Sequence, residues 1–322
     1  MGQQKEDEGA INLQVMPVLS RPLACDVIGR PRQVLDEIVE SIDSVGIFTS
    51  MGVVPDQRFV FYGVPGTGKS HLVEALNNQV NCDVLNEYRM NKIIDPSIDG
   101  IPVQNMNLAV LPFDLGKMGT AYINRGALKI QRYFDAHFKL AEAGIPSLAY
   151  IDECDVLFRN RLSNMNHGED NKNTETFMKN MHNIEKYPSI KVVMATNLVE
   201  ILDGAATRAG RIDKKYEFKL PDIEQRVAAY DLFANQVNEK ANYQVVRRFD
   251  SEELASLSTG FNYPDMKAVV TNAVRHRAQE AARDKTPGIM PACYVTGVRM
   301  IKELEQHKKV FVKKDENRKI GF

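Results

Sequence analysis

Hydrophobic residues fall into two rhythms along the chain. Five short runs, RFVFYG (58–63), NLAVLPF (107–113), SLAYID (147–152), KVVMAT (191–196) and KYEFKL (215–220), are apolar and rich in β-branched or aromatic residues. Each has the length and composition of a strand. Longer amphipathic stretches with helical spacing lie between them. This alternation predicts a parallel sheet covered on both faces. After Pro221 the strands stop, and DIEQRVAAYDLFANQV, SEELASLST, PDMKAVVTNAVRHRAQEAARD and VTGVRMIKELEQH all read as helices. The pattern divides the chain into a flexible, Pro-punctuated lead (1–25), an α/β domain (26–221), a small helical domain (222–308) and a basic tail (309–322) that reads as a solvated end.

Composition narrows the class of function. In 322 residues, 41 Lys and Arg face 42 Asp and Glu, a net charge of −1, which gives no drive toward nucleic acid or an anionic membrane surface. No apolar run approaches membrane-spanning length, and MGQQKEDEGA has no signal-peptide core. It also misses the myristoylation pattern, because position 6 is Glu. Cys25, Cys82, Cys154 and Cys293 are isolated, with neither metal-ligand spacing nor a disulfide ladder. A cytoplasmic protein without membrane insertion is expected. The six histidines are scattered and form no metal-binding pair.

The chemistry concentrates in two places. Gly63-Val64-Pro65-Gly66-Thr67-Gly68-Lys69-Ser70 fits G-x-x-x-x-G-K-[ST], with an apolar strand before it and the helical HLVEALNNQV after it. Glycines let the backbone wrap close to phosphate oxygens and aim N–H groups at them. The helix N-terminus adds a positive dipole end. Lys69 is expected to reach the β- and γ-phosphates of ATP, and the Ser70 hydroxyl to ligate Mg²⁺. Further on, SLAYIDECD places Asp152 and Glu153 at the carboxyl end of a strand, where open α/β sheets bind ligands. Asp152 suits the Mg²⁺ shell, and Glu153 suits a base that polarises water against the γ-phosphate.

With these motifs in order, the chain resembles the AAA clade of the AAA+ P-loop ATPases, as a single AAA module spanning Asp26 to about residue 308. DVIG (26–29) is similar to the family's segment beside the adenine, GVPGTGKS to Walker A and LAYIDE to Walker B. VVMATN places Asn197 at the sensor-1 position near the γ-phosphate and attacking water. LDGAATRAGRID (202–213) looks like the second region of homology, where Arg208 and Arg211 match arginine fingers. The resemblance implies nucleotide contacts at Asp26, Ile28 and Gly29, at Gly63, Pro65, Gly66, Thr67, Gly68, Lys69, Ser70 and His71, and in the helical lid at Phe233 and Pro264. It implies a homo-hexamer in which each copy's fingers complete its neighbour's site. Such fingers contribute roughly 10³–10⁵ in rate across phosphoryl-transfer systems.

The resemblance also implies a protein substrate. TAYINRGALKIQRYF (120–134) aligns with an aromatic–hydrophobic–glycine pore loop, here Tyr122-Ile123-Asn124. An aromatic beside an aliphatic grips extended polypeptide through apolar contact. Asn replaces the glycine and tolerates left-handed backbone better than most residues. SNMNHGEDNKN (163–173) matches a second pore loop by position, and His167 there either touches substrate or is simply solvated. Departures are visible. Residues 81–104 lengthen one connection, Phe233 stands where many relatives carry His, Tyr263-Pro264 replaces Gly-Ala, and no sensor-2 arginine is evident. Phe233 either stacks on the base or fills the core. No large N-terminal domain is read, so substrate choice is expected from residues 1–25, the insertion or an adaptor. Two other functions stay open: a nucleotide-gated scaffold that threads nothing, and a nucleic-acid remodeller, which the neutral charge disfavours.

Overall fold

The computed structural model describes residues 15–19, 22, 24–82, 106–115, 126–157, 168–198, 212–283 and 294–319. They form two compact units. Described residues up to Val64 and from Gly68 to Phe218 make the first; Pro65–Thr67 and those from Lys219 onward make the second.

The first unit runs α1 (Arg30–Asp43), α2 (Val45–Ser50), β1 (Arg58–Gly63), α3 (Lys69–Val80), β2 (Ala109–Asp114), α4 (Gly126–Glu142), β3 (Ser147–Asp152), α5 (Gly168–Asn183), β4 (Ile190–Thr196) and β5 (Lys214–Phe218). The strands form one parallel sheet in the order β2-β3-β4-β1-β5. Successive strand residues point to opposite faces, and the core obeys this. Phe59, Phe61, Val110, Tyr150 and Val193 pack with α1 and α3. Val60, Leu111, Ile151, Val192 and Met194 pack with α4 and α5. Burial on both faces is why these strands read as continuous apolar runs rather than alternating ones.

Strand boundaries shift by one or two residues from the sequence expectation. The second strand begins at Ala109, not Asn107. The Asn81 side chain accepts the backbone N–H groups of Asn107 (2.9 Å) and Leu108 (3.2 Å) and donates to the Leu108 carbonyl (3.0 Å), diverting those residues from the ladder. The fifth strand ends at Phe218, opposite Gly63, rather than at Leu220. The lead, expected to be flexible, is held where it is described. Met16 N donates to the Val110 carbonyl (2.7 Å) on the open side of β2, and Val18 is buried. Asn77 donates to the Pro17 carbonyl (3.0 Å), while Asn78 accepts from Leu19 N (2.8 Å) and donates to the Pro22 carbonyl (2.8 Å). Pro112, exposed, sits on the same edge strand, where a missing N–H costs the sheet nothing because alternate residues of β2 face away from β3.

The second unit contains α6 (Ile223–Ala241), α7 (Ser251–Leu257), α8 (Tyr263–Arg283) and α9 (Gly297–Lys319). Asp222 begins α6 with a capping box: its carboxylate accepts from Gln225 N (2.8 Å), and the Gln225 side chain accepts from Asp222 N (3.3 Å). The Asp250 carboxylate caps α7 without a reciprocal partner, accepting from Glu252 N (2.9 Å) and Glu253 N (3.2 Å). Extended pairing does not wholly stop after Pro221, because Val246 and Val295 form an isolated parallel bridge. The last helix runs through the expected tail boundary to Lys319. Among the described residues, no helix is long and apolar enough to cross a membrane.

Candidate nucleotide site

The crossover from β1 through α3 to β2 skips past β4 and β3 to the far edge, and the chain then returns strand by strand to β4. Helices after β1 and before β4 therefore cover opposite faces. A crevice opens between them beyond the carboxyl ends of β1 and β4, the place where open α/β sheets bind ligands. Gly63, Asp152 and Thr196 end the three strands that surround it.

Lys69 is the hub of this crevice. It is buried, and its ammonium donates to the carbonyls of Gly63 (2.8 Å) and Val64 (3.1 Å) and to Asn197 Oδ1 (2.8 Å). Burial lowers its pKa from the ordinary lysine value, and the nearby Asp152 carboxylate works against that shift. Two glycines are obligatory by geometry. Gly63, at φ 136°, pairs with Phe218 so closely that a Cβ would collide with the Phe218 carbonyl. Gly68, at φ 97°, is the N-cap of α3 and offers no side chain, so the first amides of the helix keep their directions for an anion.

Ser70, one residue further, accepts from the Tyr150 hydroxyl (3.0 Å) and lies 3.5 Å from Asp152 Oδ2. Burial pushes the Tyr150 hydroxyl well above its ordinary pKa, with Asp152 adding to the shift, so it stays a donor. Asp152 Oδ1 accepts the amide of Glu153 (2.9 Å). Glu153 is exposed and holds a left-handed backbone, φ 51°. On the other flank, His71 Nε2 lies 3.4 Å from the backbone oxygen of the buried Asp26. Gly29, at φ 72°, turns the chain into α1, with half-buried Ile28 before it.

The loop tip Pro65–Thr67 groups with the second unit. Tyr263 N donates to the Gly66 carbonyl (3.2 Å), and Asn262 Nδ2 to the Pro65 carbonyl (3.4 Å). A Cβ on Gly66 would meet Asn262 Nδ2 at 2.7 Å and Pro264 Cδ at 3.2 Å. Thr67 is buried, Pro264 exposed, and Phe233 half-buried on α6.

Comparison with known proteins agrees with this geometry. The sequence model of the family described as "ATPase family associated with various cellular activities (AAA)" matches residues 59–220. The chain belongs to the AAA family of ATPases. The parallel five-stranded sheet with flanking helices and a C-terminal helical region is the fold the sequence led us to expect for an AAA module. Similar curated proteins include the 26S proteasome regulatory subunit 8 homolog B of Arabidopsis thaliana, 26% identical over 77% of this chain and 52% of that protein. A proteasome-activating nucleotidase of Methanoregula boonei is 25% identical over 89% and 58%. A probable 26S proteasome regulatory subunit 10B of Caenorhabditis elegans is 27% identical over 77% and 53%. The chain thus spans about half the length of the curated relatives it matches.

Family membership carries nucleotide binding, and the donors present suit Mg²⁺. The Ser70 hydroxyl and Asp152 carboxylate are two hard oxygen ligands in one crevice. Among the described residues no cluster of three His, Cys, Asp or Glu side chains forms a cage. Mg²⁺ fits such a sparse set because it keeps waters and binds substrate phosphates for its remaining positions. Arg208, Arg211, Tyr122, Ile123 and His167 lie outside the described residues. Sequence reasoning missed three side chains beside the crevice of this AAA module: Tyr150, Asp155 and Thr196. Tyr150 was findable, since it stands two residues before Asp152 and so shares its strand face.

Proposed function

We propose that this AAA module hydrolyses ATP with Mg²⁺, as one subunit of a homo-hexameric ring, to remodel, unfold or disassemble a protein substrate. The observation that carries the reading is Lys69, whose ammonium joins the glycine loop after β1 to Asn197 after β4. Such a cation, buried between two strand ends, suits the charge on phosphoryl oxygens better than a solvated lysine does. Mg²⁺, held through Ser70 and Asp152, would neutralise phosphate charge. Glu153 polarises the attacking water from its left-handed turn, and Asn197 orients it. Lys69 exchanges its backbone carbonyl partners for phosphate oxygens. Arg208 and Arg211 reach the neighbouring subunit's nucleotide. Tyr122 and Ile123, with His167 on a second loop, grip substrate in the central pore, and an adaptor selects it. The relatives, proteasome regulatory subunits and proteasome-activating nucleotidases by name, support work on protein rather than nucleic acid.

Replacing Glu153 with Gln tests the core of this reading. Nucleotide binding is expected to persist while steady-state phosphate release falls by about 10²-fold or more. Turnover that survives the change removes Glu153 as the base. Tyr122→Ala separates threading from nucleotide-gated assembly, because only threading loses substrate-stimulated turnover.

A further inference from the structure

A second polar chain approaches Asn197 from behind. Thr196 closes β4 and is 1% exposed; Asp155, on the short 3-10 helix Cys154–Leu157 that follows Glu153, is 3% exposed. The Thr196 hydroxyl donates to Asp155 Oδ1 (3.4 Å) and accepts the amide of Leu198 (3.0 Å). A hydroxyl has one proton and two lone pairs. With its proton directed at the carboxylate, a lone pair is left facing Leu198 N. Asn197 is the residue between the hydroxyl and that amide, so this bond closes a turn around its backbone, and Asp155 orients the hydroxyl that makes it. Its Oδ1 then stands 2.8 Å from Lys69 Nζ.

All seven residues of β4 are buried, and a valine would serve the end of this strand as well as threonine for packing and strand propensity. Burying a hydroxyl and a carboxylate there is unfavourable unless each is bonded. What the pair supplies is a fixed turn at 196–198.

We propose that Asp155 and Thr196 are positioning residues for hydrolysis, holding Asn197 against Lys69 across the crevice. The proposal rests on reading the crevice as a hydrolytic nucleotide site. A side chain displaced by about 1 Å from its working position costs on the order of 10²-fold in rate. Thr196→Val is therefore expected to lower kcat for ATP by roughly 10–100-fold. Nucleotide affinity should stay within about twofold, because the glycine loop, Lys69 and α3 are untouched. Thr196→Ser, which restores the hydroxyl, should recover most of kcat. A packing role predicts the reverse order, with Val tolerated and Ser damaging. Asp155→Leu should resemble Thr196→Val, and the double variant should be no worse than either single change.

The assay runs on the full chain with Mg²⁺ and ATP, with thermal midpoints measured in parallel, and Thr196→Ala is the second variant should valine prevent folding. Wild-type kcat in a folded Thr196→Val protein, a loss that Ser does not rescue, or a loss carried by KM alone overturns the proposal. Glu153→Gln in the same assay separates the two failures. If it abolishes turnover while Thr196→Val does not, only the positioning pair is wrong. If the wild-type chain turns over no ATP, the hydrolytic reading fails and the pair with it.

Discussion

Asp213 grips Arg58 by backbone and side chain at once. Its Oδ2 accepts the amides of Gln57 and Arg58, both at 2.9 Å, and its Oδ1 accepts Arg58 Nη2 at 3.0 Å. The Asp213 amide donates back to the Arg58 carbonyl (2.9 Å), and Glu185 takes a further guanidinium bond (2.9 Å). The carboxylate thus starts β1, whose other end carries the phosphate loop.

Asp213→Ala should destabilise the protein by about 3 kcal/mol, because it leaves two amides without their acceptor and a guanidinium only 9% exposed short of its main partner. Urea denaturation measures this. A change under about 0.5 kcal/mol would place the bonds among surface pairs of no consequence.

Glu153 holds a left-handed backbone that a non-glycine residue adopts at a cost of about 1 kcal/mol. Glu153→Gly should relieve that strain and raise the denaturation midpoint while ending turnover. Glu153→Gln ends turnover too but keeps the strain, and so should gain nothing. Equal midpoints for the two variants would show that the turn is unstrained.

His137 lies buried between Tyr133 and Ser147, its Nδ1 2.8 Å from Ser147 Oγ, and burial lowers its pKa to about 3. In the unfolded chain it titrates near the ordinary value. Between about pH 6.5 and 3 the unfolded state binds the extra proton, so this residue's contribution is intact above that window and is lost as pH falls. Going from pH 7 to pH 5 should cost about 2 kcal/mol through His137 alone. His137→Asn, which keeps an atom near Nδ1, should flatten that slope in chemical denaturation series. An unchanged slope would mean the imidazole protonates in the fold.

Lys191, near the start of the central strand β4, donates its ammonium to the Asp56 carbonyl (2.9 Å), and burial lowers its pKa to about 8. The unfolded lysine keeps its proton to a higher pH, so wild-type stability should rise from pH 8 toward 10. Lys191→Met should be more stable at pH 7 by about 2 kcal/mol and lose that rise. A less stable variant with the rise intact would show the ammonium to be well solvated.

The strands were legible because both faces of the sheet are covered, so RFVFYG and KVVMAT carry their own signal. Gly63 to Ser70 was legible because a phosphate cradle constrains residue types locally. Side chains acting across distance in sequence were not. Asn81 shifts the start of β2 from α3, and Asn77 and Asn78 fasten residues 17–22 by bonding to their carbonyls and amides. An asparagine in an amphipathic helix gives no hint of which backbone it will meet. Thr196 looked like a strand-ending residue, and only its distance to Asp155 and to Leu198 N distinguishes it from a valine.

The β2 border of the sheet has a consequence for assembly. Strand addition needs a run of unclaimed rungs. On β2, Val110 has its carbonyl taken by Met16, and Pro112 has no proton to give. A second copy cannot lengthen the sheet by lying alongside this border. At this border any contact between copies has to use helix and loop surfaces rather than a continuous ladder.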